Sequence, residues 1–172
     1  MDLKTNYSKP MNVTWVMSYP TGNEKGSFLA LDMGGTNLRI CEVYLTDERG
    51  SFEIVQSKYR MPEELKTGNS EELWEYIADC LQQFVEYYHE GEKLNKLPLG
   101  FTFSYPATQA SINQGVLQRW TKGFDIEGVE GHDVVPQLEK VLIDRVNIFI
   151  HLFFRHSAIL ILYRVYLSKL RP

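Results

Sequence analysis

Three features of the chain predict an α/β domain, a sheet with helical cover. Three strand-like runs, Phe28 to Met33, Leu38 to Leu45 and Phe52 to Arg60, follow one another through short connections bounded by Gly34-Gly35 and Gly50. A long stretch with helical apolar spacing, Ser70 to His89, comes next, and a continuous apolar run, Leu97 to Phe103, follows it. A meander, then a crossover helix, then a further strand is the order of a sheet with helices packed on it. At 172 residues the chain has material for one domain, or one lobe of something larger.

Met1 to Gly26 is polar and turn-rich, with Pro10, Pro20 and Gly22 punctuating the entry to the first strand. The aliphatic and aromatic content of the three runs suits a pleated, half-buried surface. In Ser70 to His89, Leu73, Trp74, Ile77, Ala78, Leu81, Phe84, Val85 and Tyr88 share one helix face. Asn69 with Glu72 forms a capping-box pattern, acids crowd the first turn where the helix dipole favours them, and Gly91 supplies a stop. Leu97 to Phe103 reads as a buried strand reaching a loop at Ser104-Tyr105-Pro106, Val134 to Leu142 as a second helix, and a fifth strand is expected from Val146.

A net charge of -4 with both signs scattered leaves no basic stripe, which argues against nucleic acid as a partner. Cys41 and Cys80 have neither CxxC nor metal spacing and read as buried free thiols of a reducing compartment. The first residues lack the apolar core of a signal peptide, so the expected location is the cytosol. Asn6-Tyr7-Ser8 and Asn12-Val13-Thr14 are then formal glycosylation acceptors only.

Chemistry concentrates in three places. At LDMGGTNLR, two glycines permit positive φ and let backbone N–H groups approach a ligand without a Cβ in the way. Thr36 and Asn37 add neutral donors and Arg39 a cation, a set suited to nucleotide phosphates. Asp32 is placed to hold a hydrated magnesium ion bridging them. The alternative is a hairpin turn whose glycines serve shape and whose acid is merely solvated. No GxxxxGK[ST] pattern is present, and the turn enters a strand, not a helix. The other two places, Phe103 to Pro106 and Trp120 to Phe124, set Ser104, Thr121 and Lys122 among aromatic residues, the mixture a sugar site needs. Each is also a common structural pattern.

Seven segments, WVMSYPTG, FLALDMGGTNLRICEV, QSKYRMPEELKTG, LWEYIADCLQQF, LPLGFTFSYPATQ, LQRWTKGFD and HDVVPQLEK, together resemble the first part of a fungal-type eukaryotic hexokinase, across residues 10 to 146. The resemblance implies a ribonuclease-H-like lobe of the actin-like ATPase fold, with the second lobe missing. It divides the chain into a lead-in, residues 1–26, the lobe, 27–147, and a tail, 148–172. It implies that Asp32, Gly34, Gly35, Thr36, Asn37 and Arg39 form the first phosphate loop, with Asp32 near magnesium and Lys58 at a nucleotide-binding position. It implies that Ser104, Thr121 and Lys122 contact sugar hydroxyls. The implied reaction transfers the γ-phosphoryl group of MgATP to the 6-hydroxyl of glucose or a similar hexose.

The pattern breaks after Asn147. The family continues into an Ile-Asn-Asp-Thr segment whose Asp is the base, whereas Arg145 to Pro172 holds no Asp or Glu, and no glycine follows Gly131. The chain is therefore expected to be inactive alone. The apolar tail carries His151, Arg155, His156, Arg164, Lys169 and Arg171, which interrupt any run long enough to span a membrane. A reading frame run into intron or shifted sequence accounts for this tail. The alternative is a genuine C-terminus that makes the product a non-catalytic sugar-binding module contacting a partner or a membrane surface.

Overall fold

The computed structural model describes residues 21–89, 97–146 and 151–155. In chain order the elements are β1 (Gly26–Met33), β2 (Asn37–Leu45), β3 (Phe52–Arg60), α1 (Ser70–Tyr88), β4 (Pro98–Phe103), β5 (Ala107–Thr108), β6 (Val116–Leu117), α2 (Val134–Val146) and β7 (His151–Arg155). The main sheet has the order β3-β2-β1-β4-β7, and β5 pairs with β6 in a small second sheet. The meander is antiparallel as expected, and β4 adds to β1 in parallel after the α1 crossover.

Period-two alternation places Leu29, Leu31 and Met33 on one face of β1, all buried. The same face carries Leu38 and Ile40 of β2 and Leu99, Phe101 and Phe103 of β4. Leu73, Ile77, Leu81 and Phe84 of α1 join Leu138 and Leu142 of α2 in one core with those strand residues. Glu42 continues the core-facing stripe of β2, and the Nε2 of His89, at the end of α1, meets its Oε2 at 2.5 Å. That partner is what lets an acid occupy a buried position under the helix.

Asn69 caps α1, its Oδ1 accepting from the Glu72 N–H at 2.9 Å. Glu72 folds back so closely that a Cβ on Gly68 would lie 2.5 Å from its Oε2. Asp133 serves α2 similarly, accepting from the Val135 N–H at 3.1 Å, and Pro136 sits in the first turn, where its missing N–H costs nothing.

Two expectations change. The strand predicted from Val146 begins at His151, because α2 continues through Val146. Arg145 explains the longer helix: it pairs with Asp79 at 2.8 Å and Glu75 at 3.2 Å on α1, a cation at a helix C-terminus. The pair β5 and β6, and the 3-10 turn Glu64–Thr67, escape the sequence pattern because each is too short to show a period. Gly91, the expected stop, lies outside the described residues; α1 ends at Tyr88 with His89 as its cap. No helix among the described residues is long and apolar enough to cross a membrane.

Cys41 and Cys80 are both buried and unbridged, and burial pushes each thiol up to about 11. Because the thiolate is the nucleophile, neither is expected to react with a disulfide reagent at pH 8 in the native protein, and both are expected to react once urea unfolds it. Replacing Asn69 by Ala is expected to lower stability by about 1 kcal/mol in a urea titration.

Candidate functional site at the ends of β1 and β4

Parallel pairing brings Met33, the last residue of β1, opposite Phe103, the last of β4. The phosphate-turn candidate and the Ser104 loop therefore leave the sheet side by side. The Gly34 N–H donates to the Asn37 carbonyl at 3.0 Å and closes the turn, while the Met61 N–H holds the Thr36 carbonyl at 2.9 Å. The Ser104 N–H donates to the Met33 carbonyl at 3.2 Å, joining the two loops at their bases.

The third candidate segment folds over them. The Phe124 N–H donates to the Thr121 carbonyl at 3.2 Å, and the two residues between, Lys122 and Gly123, have φ of 60° and 82°. Two consecutive positive φ values are the pattern of a type I′ turn, in which Gly123 is at ease and Lys122 is strained. The strain aims the lysine inward: its Nζ donates to the Ser104 carbonyl at 2.5 Å and lies 4.9 Å from the centre of the Tyr105 ring. Its stem rests on the phosphate turn, where a Cβ on Gly35 would lie 3.0 Å from both Cβ and Cδ of Lys122.

One part of the expectation for the two glycines, positive φ, does not hold. Neither Gly34 nor Gly35 has positive φ. A side chain on Gly35 would press on the stem of Lys122, a tertiary contact with no trace in the local pattern.

Asp32 projects from the face of β1 opposite Leu31 and Met33. Across the strands it lies in register with Arg39, which is in register with Lys58, and on the other side with Thr102. Arg39 Nη1 lies 3.4 Å from Asp32 Oδ2, with 58% of the Arg39 side chain and 31% of the Asp32 side chain exposed. An exposed pair at that distance contributes little to stability and exchanges readily for another partner. Lys58 is exposed on the next strand, so it adds a second cation to the row without touching the turn. Thr121 lends its carbonyl to the turn beneath Lys122.

Residues outside the sequence-derived set complete the site. The Tyr105 hydroxyl donates to the Gly34 carbonyl at 3.1 Å, and burial pushes its pKa above the usual phenol range, so it stays a donor. Glu130 accepts from the Trp120 N–H, anchoring the segment that carries Thr121 and Lys122. The signal for Tyr105 was its position directly after Ser104, since a buried tyrosine needs a partner for its hydroxyl; nothing local marks Glu130.

The described residues hold no cluster of three or more His, Cys, Asp or Glu side chains able to bind a metal. Asp32 alone, beside the Gly34–Asn37 turn, fits a magnesium ion held by one carboxylate, waters and phosphate oxygens.

The hexokinase family model matches residues 1–152. The chain belongs to the hexokinase family. Over 136 residues it is 72% identical to a hexokinase of Emericella nidulans, a match covering 79% of this chain and 28% of that protein. It is 53% identical over 137 residues to hexokinase-2 of Saccharomyces cerevisiae, again with 79% and 28% covered. The hexokinase from Schistosoma mansoni solved in complex with glucose superimposes with a TM-score of 0.76 at 41% identity, covering 84% of this chain and 32% of that one. These neighbours share the ATPase-like α/β fold, so the lobe architecture implied by the sequence holds, and the chain spans about 28% of the length of its fungal relatives.

Gly35→Ala is expected to destabilise the protein by about 1–3 kcal/mol through overpacking against Lys122. Adding Lys122→Gly removes both the clash and the strained φ, so a double-mutant cycle by urea denaturation is expected to show strong, favourable coupling. Additive effects would mean that the two residues do not touch.

Proposed function

We propose that this chain carries the first phosphate loop and part of the hexose site of an ATP-dependent hexose 6-phosphotransferase, and that by itself it binds hexose without phosphorylating it. The observation that carries the reading is the convergence of Ser104, Lys122 and the Gly34–Asn37 turn at one end of the sheet, where the Lys122 ammonium meets the Ser104 carbonyl and its stem meets Gly35. Ligands of open α/β sheets sit at such strand ends.

In this reading the backbone N–H groups of Gly35 to Asn37, with the Thr36 hydroxyl, receive phosphate oxygens. Arg39 and Lys58 offset their charge. Asp32, once free of Arg39, would hold the magnesium ion. Bound magnesium would neutralise charge on the transferring phosphoryl group. Ser104, Thr121 and Lys122 take sugar hydroxyls, with glucose the favoured hexose, and hold the sugar beside the turn so that positioning supplies most of the rate gain. Residues 145–172 contain no Asp or Glu, so they offer no carboxylate to accept the hydroxyl proton. The free buried thiols favour a reducing, cytosolic setting.

A coupled assay on the 172-residue chain is expected to show no hexose phosphate above buffer with glucose and MgATP. Saturation-transfer NMR is expected to show transfer to glucose protons, lost in Lys122→Ala. Product formation would overturn the inactivity, and absence of transfer in the unmutated chain would overturn the sugar site.

A further inference from the structure

We propose that Tyr105 is a positioning residue that makes the hexose loop and the phosphate turn one mechanical unit. Its hydroxyl and ring serve different loops. The hydroxyl holds the Gly34 carbonyl at 3.1 Å, setting the first peptide of the phosphate turn. The ring carries the Lys122 ammonium 4.9 Å from its centre, beside the bond from that ammonium to the Ser104 carbonyl. Tyr105 is itself almost wholly buried at 1% exposure, wedged against Phe103, Trp120 and Phe124 with ring centroids 4.8, 4.9 and 5.4 Å away. A ring so enclosed has one available position, so the turn and the lysine are both referred to the same rigid plate.

The lysine closes the circuit. Its stem lies on Gly35, whose N–H belongs to the peptide that Tyr105 holds. A ligand that draws the ammonium away from the Ser104 carbonyl acts on the Tyr105 ring and on the stem contact with Gly35 together, and the tyrosine hydroxyl carries that change to the turn. Occupancy of the sugar side is thereby felt by the amides of the phosphate side. This last step rests on the hexose reading above; the tie between Tyr105 and the turn does not.

Tyr105→Phe keeps the ring and deletes only the hydroxyl, and hydrogen exchange read by mass spectrometry on the full chain tests the idea without any ligand. The expected result is about fivefold faster exchange confined to residues 34–37, the effect of losing one hydrogen bond, with α1 unchanged. Unchanged exchange at the turn overturns the proposal. Acceleration spread equally over α1 also overturns it, since that is loss of general stability. With glucose added, the unmutated protein is expected to slow at residues 34–37 and the variant only at 104 and 121–122. If the turn accelerates in Tyr105→Phe but glucose protects nothing in either protein, the positioning role stands and the hexose reading fails.

Discussion

The site depends on the register between β1 and β4. Parallel pairing from Leu29 opposite Leu99 to Met33 opposite Phe103 brings two strands to an end at the same level, so that the turn after one and the loop after the other share a single opening. The register is held by the core: Leu29, Leu31, Met33, Leu99, Phe101 and Phe103 are each at most 1% exposed on the face that α1 and α2 cover. Sliding β1 by one residue would turn Asp32 into that core and a leucine or methionine toward the site, a change the alternation of side chains forbids. Burial of apolar surface thus sets the place of a polar site that it does not touch.

Beneath the opening lies an aromatic floor. Phe103, Tyr105, Trp120 and Phe124 pack with centroid separations of 4.8 to 5.8 Å, three of the five contacts edge-on, that between Phe103 and Tyr105 tilted, and that between Trp120 and Phe124 near-parallel. Such rings can be buried because their polar ends are answered: the Trp120 indole N–H donates to the Ile126 carbonyl at 3.0 Å and the Tyr105 hydroxyl to Gly34. The same floor supports a lysine in a backbone conformation that favours glycine. A strained residue persists where the packing around it leaves no alternative, and here the packing is aromatic on one side and the Gly35 backbone on the other.

Polar ties of two kinds serve two ends. Glu42 with His89, and Arg145 with Glu75 and Asp79, connect helices to sheet and to each other away from the opening. At the opening, Asp32 and Arg39 are exposed and 3.4 Å apart, a contact water already weakens. A structural pair gains from being enclosed, whereas a group that must trade its partner for a ligand gains from being half-solvated.

The amino-acid sequence by itself determined the meander, the crossover helix α1, the strand β4 and the second helix, because each is long enough to display a period, and α1 carries its own boundary signal in Asn69 and Glu72. It also marked the Asp32 to Asn37 turn, Ser104, Thr121 and Lys122, since chemistry-bearing residues beside glycine and aromatic neighbours are local patterns. Only the tertiary structure decided why Gly35 is glycine, that Tyr105 bridges two loops and that Arg145 prolongs α2. Those answers lie in contacts between residues distant in the chain: Gly35 meets Lys122, Gly34 meets Tyr105, and Arg145 meets Asp79. A linear pattern records what a residue can do, and the register of β1 on β4 decides which residue it does it to.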